Sequence, residues 1–144
     1  MKPAIIRTTT IDLKKQVTVT LILCLFPFLF YAQPESPTGL SVQGYDSHFE
    51  LTWNASSDPS LSGFRVYRKL VPNGEEEYLG FVGKYTTDYI DFVGREDLNY
   101  DYYISAVDLL NTESEYSNIV NAFTFEMTDE ELMTMVQEYT FRYF

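Results

Sequence analysis

The chain has 144 residues, 45% hydrophobic and 22% charged, with a formal net charge of −11, the balance of a folded protein and not of a disordered one. The charge is split: residues 1–32 carry a net +3 and the rest a net −14, so the body repels phosphate backbones and anionic lipid, and nucleic acid is not expected as a partner. One cysteine, Cys24, and one histidine, His48, supply no disulfide, thiolate metal site or histidine cluster, so no metal and no cofactor is expected.

A basic start leads into an apolar run over 17–30, VTVTLILCLFPFLF, broken by Pro27. The run suits a signal-peptide core and falls short of the about 20 apolar residues of a spanning helix. Ala32 is the residue to cut after, although Phe30 fills a place usually held by a small side chain. The expectation is a signal peptide over 1–32 and a secreted, periplasmic or cell-surface product. An uncleaved segment would instead hold the protein on a membrane. Lipidation of Cys24 is the other alternative, although Leu21-Ile22-Leu23 lacks the small residues of a lipobox.

Residues 33–36 are a polar, proline-bearing linker. Alternation of apolar and polar residues then marks strands. Leu40 and Val42 make the first, Phe49, Leu51 and Trp53 the second, Phe64 and Val66 the third. Residues 78–82 make a fourth, after an Asn73-Gly74 turn and an acidic run, Glu75 to Glu77, read as solvated. Residues 89–92 make a fifth. The sixth, 100–107, alternates Tyr100, Tyr102, Ile104 and Ala106 with Asp101, Tyr103 and Ser105, so one face is buried. Residues 110–116 read as a polar turn and 117–125 as a seventh strand. Seven short strands separated by turn signals make an all-β, antiparallel sandwich.

Thr128 and Glu131 then form a capping box, with acidic residues in the first turn. Leu132, Met135, Val136, Tyr139 and Tyr143 recur at helical spacing. Aromatic residues on more than one face of this segment predict a helix buried on several sides. No stop signal follows it, so the chain is expected to be the amino-terminal part of a longer enzyme.

The runs 37–42 (PTGLSV), 51–53 (LTW), 63–68 (GFRVYR), 100–108 (YDYYISAVD) and 116–118 (YSN) resemble a fibronectin type III domain of the bacterial extracellular kind, an immunoglobulin-like sandwich over 37–125. The resemblance implies that Trp53 is a core residue. It implies that Tyr100 is a corner residue, its hydroxyl turned back onto the preceding loop backbone. The loop differs from the family pattern, with Arg95-Glu96-Asp97-Leu98 where glycine or proline is common. Residues 127–144 resemble the opening helix of glucoamylase-like glycoside hydrolases of Bacteroidetes-type bacteria. That resemblance implies a barrel of paired helices acting on glucans, with its catalytic carboxylates beyond Phe144. The expected domains are therefore 1–32 signal peptide, 33–36 linker, 37–125 sandwich, and 126–144 as the start of a helical domain.

No catalytic residue is expected within the chain. Glycoside hydrolysis needs two carboxylates placed across a sugar, and no motif here places such a pair. Asp58, Asp91 and Asp108 at loop ends show no calcium-loop spacing. His48 opens a strand and reads as an exposed residue. Asn54-Ala55-Ser56 fits a glycosylation acceptor of a eukaryotic secretory route. Tyr67 and Tyr103 fall on the outward phase of their strands and are the candidates for stacking on sugar rings. The expected function is a non-catalytic spacer or docking module ahead of a hydrolase domain, with that domain as partner. An adhesion or carbohydrate-binding module, with glycans as partner, is the alternative.

Overall fold

The computed structural model of the chain describes residues 33–142. The signal-peptide, Cys24 and cleavage-site readings, and the helix's last two residues, lie outside them. Eight strands and one helix follow in order: β1 (Ser41–Gly44), β2 (His48–Thr52), β3 (Leu61–Leu70), β4 (Glu76–Gly83), β5 (Asp88–Phe92), β6 (Asn99–Asp108), β7 (Glu113–Tyr116), β8 (Val120–Phe123) and α1 (Asp129–Arg142). β1, β2 and β5 form one antiparallel sheet; β4, β3, β6 and β7 form the other, with β8 also paired to β6.

The period-two pattern places the core. Phe49, Leu51 and Trp53 come from one sheet; Phe64, Val66, Tyr102, Ile104 and Ala106 come from the other. Trp53 meets Phe64 edge-on at 5.5 Å, and Phe49 packs against Tyr102 at 5.2 Å. These contacts bury both inner faces, the main favourable term in folding.

The last strand differs from the expectation. The region read as a turn holds β7, and the seventh strand expected over 117–125 forms only over Val120–Phe123, as β8. Serine hydroxyls stand in for absent ladder carbonyls: Ala106 N donates to Ser114 Oγ at 2.9 Å and Ile104 N to Ser117 Oγ at 3.1 Å. The backbone can therefore leave the ladder without stranding buried amides. Asn118 then reaches across to β1, accepting from Leu40 N at 3.2 Å and donating to Leu40 O at 2.9 Å. Farther along, Gly44 lies so close to β8 that an added Cβ would sit 2.1 Å from the Phe123 carbonyl oxygen. Only glycine allows that approach.

β6 also differs, being buried on both faces from Tyr102 to Asp108. It runs between β3 and β7, and side chains cover its outer face. The capping box forms as read: Thr128 N donates to Glu131 Oε2 at 2.8 Å and Glu131 N to Thr128 Oγ1 at 3.3 Å.

Candidate functional site

Register across the five-stranded sheet gathers aromatic side chains that are far apart in sequence. Tyr67 pairs with Tyr78 on one side and with Tyr103 on the other, and Tyr116 pairs with Ser105. Four strands thus each supply one tyrosine to a row. Ring centroids are 5.6 Å apart for Tyr78–Tyr67, 5.8 Å for Tyr67–Tyr103 and 4.7 Å for Tyr103–Tyr116. Such cross-strand contacts are the sheet's counterpart of helix-face pairs.

Tyr67 and Tyr103 lie on the outward phase as expected, but they are only 8% and 6% exposed. Their rings stack on each other at an interplanar angle of 13°, so each covers one face of the other. The two outer tyrosines of the row, Tyr78 and Tyr116, are 53% and 45% exposed. The alternation rule gives the face but not the cover that neighbouring side chains supply.

Carboxylates satisfy the phenols. Tyr67 donates to Glu113 Oε1 at 2.7 Å, and Tyr103 donates to Glu76 Oε2 at 2.7 Å. Glu113 also accepts from Ser105 and from Arg65, which donates to Asn111 as well. Burial, the hydrogen bond to Glu113 and the charge of Glu113 push the Tyr67 phenol up to about 12. Burial and Glu76 raise Tyr103 and Tyr116. Burial works against ionisation of Glu113, but hydrogen bonds from Ser105, Tyr67 and Arg65 outweigh it and hold the carboxyl below its ordinary value. The sequence reading takes Glu76 as part of a solvated run and does not single out Glu113, which lies in an apparent turn. Their role follows from strand register, which local composition does not report.

Between the sheets, Arg68 donates to Asp91 at 2.7 Å and to Glu77 at 2.9 Å, and Tyr102 donates to Asp91 at 2.7 Å. Glu77 is therefore an ion-pair partner and not simply part of a solvated run. Burial and Asp91 raise the Tyr102 phenol. Asp58 accepts from Ser60, and Asp108 accepts from the amides of Leu110 and Thr112. The three aspartates thus serve separate local roles. Among the described residues no three His, Cys, Asp or Glu side chains cluster as a metal site.

Trp53 is buried at 6% exposure, its indole N–H without a hydrogen-bond partner among the described residues. Tyr100 is buried at 9%, edge-on to Phe49 and beneath the Arg68 guanidinium at 4.8 Å. Among the described residues its hydroxyl donates to no loop backbone, contrary to the corner expectation. Thr124 pins the corner instead: Leu98 N donates to Thr124 Oγ1 at 3.0 Å, and Thr124 N to Leu98 O at 2.8 Å. Asp97 takes a φ of 59° in this loop, a conformation aspartate tolerates better than most residues.

His48 is not the exposed residue expected. Its side chain is 12% exposed, stacked on Tyr45 at 4.7 Å, with the Tyr139 hydroxyl of α1 at 3.5 Å. No helix among the described residues is long and apolar enough to cross a membrane.

Comparison with known proteins places this arrangement. An Fn3-like protein from Clostridium thermocellum superposes with a TM-score of 0.53 at 25% identity, over 67% of this chain and 99% of that one. The sandwich has the fibronectin type III fold. A crystal structure of a β-1,2-glucanase from Parabacteroides distasonis matches this fibronectin type III chain with a TM-score of 0.66 at 29% identity. The match covers 78% of this chain and 16% of that one. In sequence, the chain is 31% identical over 122 residues to the exo β-1,2-glucooligosaccharide sophorohydrolase (non-reducing end) of the same species. That match takes in 76% of this chain, which spans 15% of the curated relative's length. No family model matches the chain.

Proposed function

We propose that the chain supplies the non-catalytic amino-terminal part of a secreted bacterial carbohydrate-active hydrolase. The fibronectin type III sandwich is its spacer or docking module, and α1 opens the helical catalytic domain. The observation that carries this reading is the extent of the sophorohydrolase match. It takes in 76% of this chain, more than the strands from β1 to β8 occupy, and a small part of a much longer enzyme. The helix supports it too. Its cap is well made, yet Met133, Val136 and Phe141 are exposed, as suits a segment with further partners. The substrate class is a β-1,2-linked glucan, acid and base carboxylates come from the following domain, and the product acts outside the cytoplasm.

The test is to express the polypeptide that the native gene encodes through and beyond residue 144, beside residues 33–144 alone. The longer protein should release sugar from β-1,2-glucan and the short one none. A stop codon directly after Phe144 would overturn the reading. Release of sugar by the short protein, abolished by changing one of its carboxylates, would overturn it equally.

A glycan-binding module is the second reading, favoured by the exposure of Tyr78 and Tyr116. Binding of β-glucan by residues 33–144, lost in Tyr78→Ala or Tyr116→Ala, would support it. Loss only in Tyr67→Ala or Tyr103→Ala would point to disruption of the row instead.

A further inference from the structure

The outer face of the three-stranded sheet is half covered. Register between β2 and β5 sets Glu50 opposite Ile90 and His48 opposite Phe92. The Tyr139 side chain of α1 reaches His48. Between Tyr139 and the Glu50–Ile90 row lies a groove of about 310 Å3 that extends to Thr52 and Asp88. On the sheet side, Ile90 and Phe92 are 54% and 73% exposed. Around the helix from Tyr139, at about 100° per residue, come Val136 and Met133, which are also exposed. Ile90 and Tyr139 thus line the groove, and further exposed apolar side chains follow on both the sheet and the helix.

The groove floor carries a second signal. Glu50 Oε1 is buried and has no hydrogen-bond partner among the described residues. His48 Nε2 stands 3.7 Å away, within ion-pair range when protonated but beyond hydrogen-bond reach. A buried carboxylate oxygen without a donor is costly to leave, so an occupant that brings a cation is favoured.

We infer that this groove seats a helix of the polypeptide that follows residue 144. Its apolar face lies against Ile90, Phe92, Val136 and Met133, and a lysine or arginine reaches Glu50. The inference rests on the proposed function, because it needs a helical domain downstream. The observations select this occupant over others. An apolar rim calls for an apolar partner. A capped α1 is a first helix beside which the next of a helical hairpin packs. A second copy of the body would bring its own net −14 against the acidic floor, and anionic lipid would be repelled in the same way.

Cysteine labelling in the longer gene product tests this. Ile90→Cys, Phe92→Cys and, at a distant turn, Leu109→Cys are made singly with Cys24→Ser, and maleimide rates are compared. Leu109 is 71% exposed and serves as the open reference. The variants at 90 and 92 should label about tenfold more slowly than the one at 109, because labelling there requires the interface to open. Adding Glu50→Lys, which sets like charges together, should raise the rate at 90 about fivefold. Equal rates at 90 and 109 in a longer protein that still hydrolyses glucan would overturn the docking inference and spare the proposed function. Protection that disappears on dilution would place a second copy in the groove and overturn the inference as well. Protection with no effect of Glu50→Lys would overturn the cationic contact. A longer protein with a protected groove and no glycoside hydrolase activity would overturn the proposed function alone.

Discussion

The two outer faces of the sandwich are finished in opposite ways. On the five-stranded sheet, four tyrosines stand in a row, and Glu76 and Glu113 accept from the hydroxyls of Tyr67, Tyr103 and Tyr116. The polar groups at the centre of that face find their partners within it. On the three-stranded sheet, Ile90 and Phe92 stay exposed beside a helix that has no fully buried residue among those described. Polar satisfaction marks a surface as the protein's own outside. Apolar side chains left open beside a buried carboxylate oxygen, whose nearest cationic group is His48 at 3.7 Å, suit a surface that takes a further partner.

The comparison breaks most visibly if the shared core is not what supports both faces. Trp53→Ala should cost about 3–5 kcal/mol in denaturant melts, since it opens a cavity against Phe64. A loss as mild as that of a surface change would contradict the inward assignment of β2. On the tyrosine face, Glu113→Ala should cost about 1.5–3 kcal/mol, because three donors lose a charged acceptor. The corner sharpens the same point: Thr124→Val leaves the Leu98 amide unpaired and should cost about 1–3 kcal/mol, whereas Tyr100→Phe should stay within about 0.5 kcal/mol. The reverse order in urea melts would restore the tyrosine as the corner's pin.

The tyrosine face should also respond to alkali. An unfolded tyrosine ionises near pH 10, while folded Tyr67 holds its proton to about 12. Below pH 10 neither state ionises, and the contribution is fully present. Between pH 10 and 12 the unfolded chain loses its proton first, so stability falls. Melting temperatures should drop across that window, less steeply in Tyr67→Phe. The smallest effect belongs to the open face. Ile90→Ser and Phe92→Ser should change the stability of residues 33–144 by within about 0.5 kcal/mol. Amides of Leu132 to Tyr139 should exchange far faster than those of Tyr102 to Val107, since a lone helix of this length is marginal in water.

The architecture is legible in the sequence because inward residues repeat every second position and the turns carry their own signals. Phe49, Leu51, Trp53, Phe64, Val66, Tyr102 and Ile104 all lie in the core as their phase predicts. The cap at Thr128 is equally plain, since both of its partners lie within four residues. What eludes the sequence depends on partners brought together across strands. The cover over Tyr67 and Tyr103 depends on register with β4 and β7. The burial of His48 depends on Tyr139, 91 positions away in the chain. Ser114 reads as part of a turn and Ser117 as the start of a strand, because a hydroxyl that replaces a carbonyl leaves no periodic mark.

The parallel course of β1 and β8 has a mechanical consequence. Leu40 is tied to Asn118, and five residues on, Phe125 N donates to Tyr45 O. First and last strands thus advance side by side in one direction, and the chain arrives at one end and departs from the other. Tension between the two ends would load these strands along their length. Their ties would then strain together in shear instead of parting one after another. Survival under such a load is set by an unfolding rate and not by equilibrium stability.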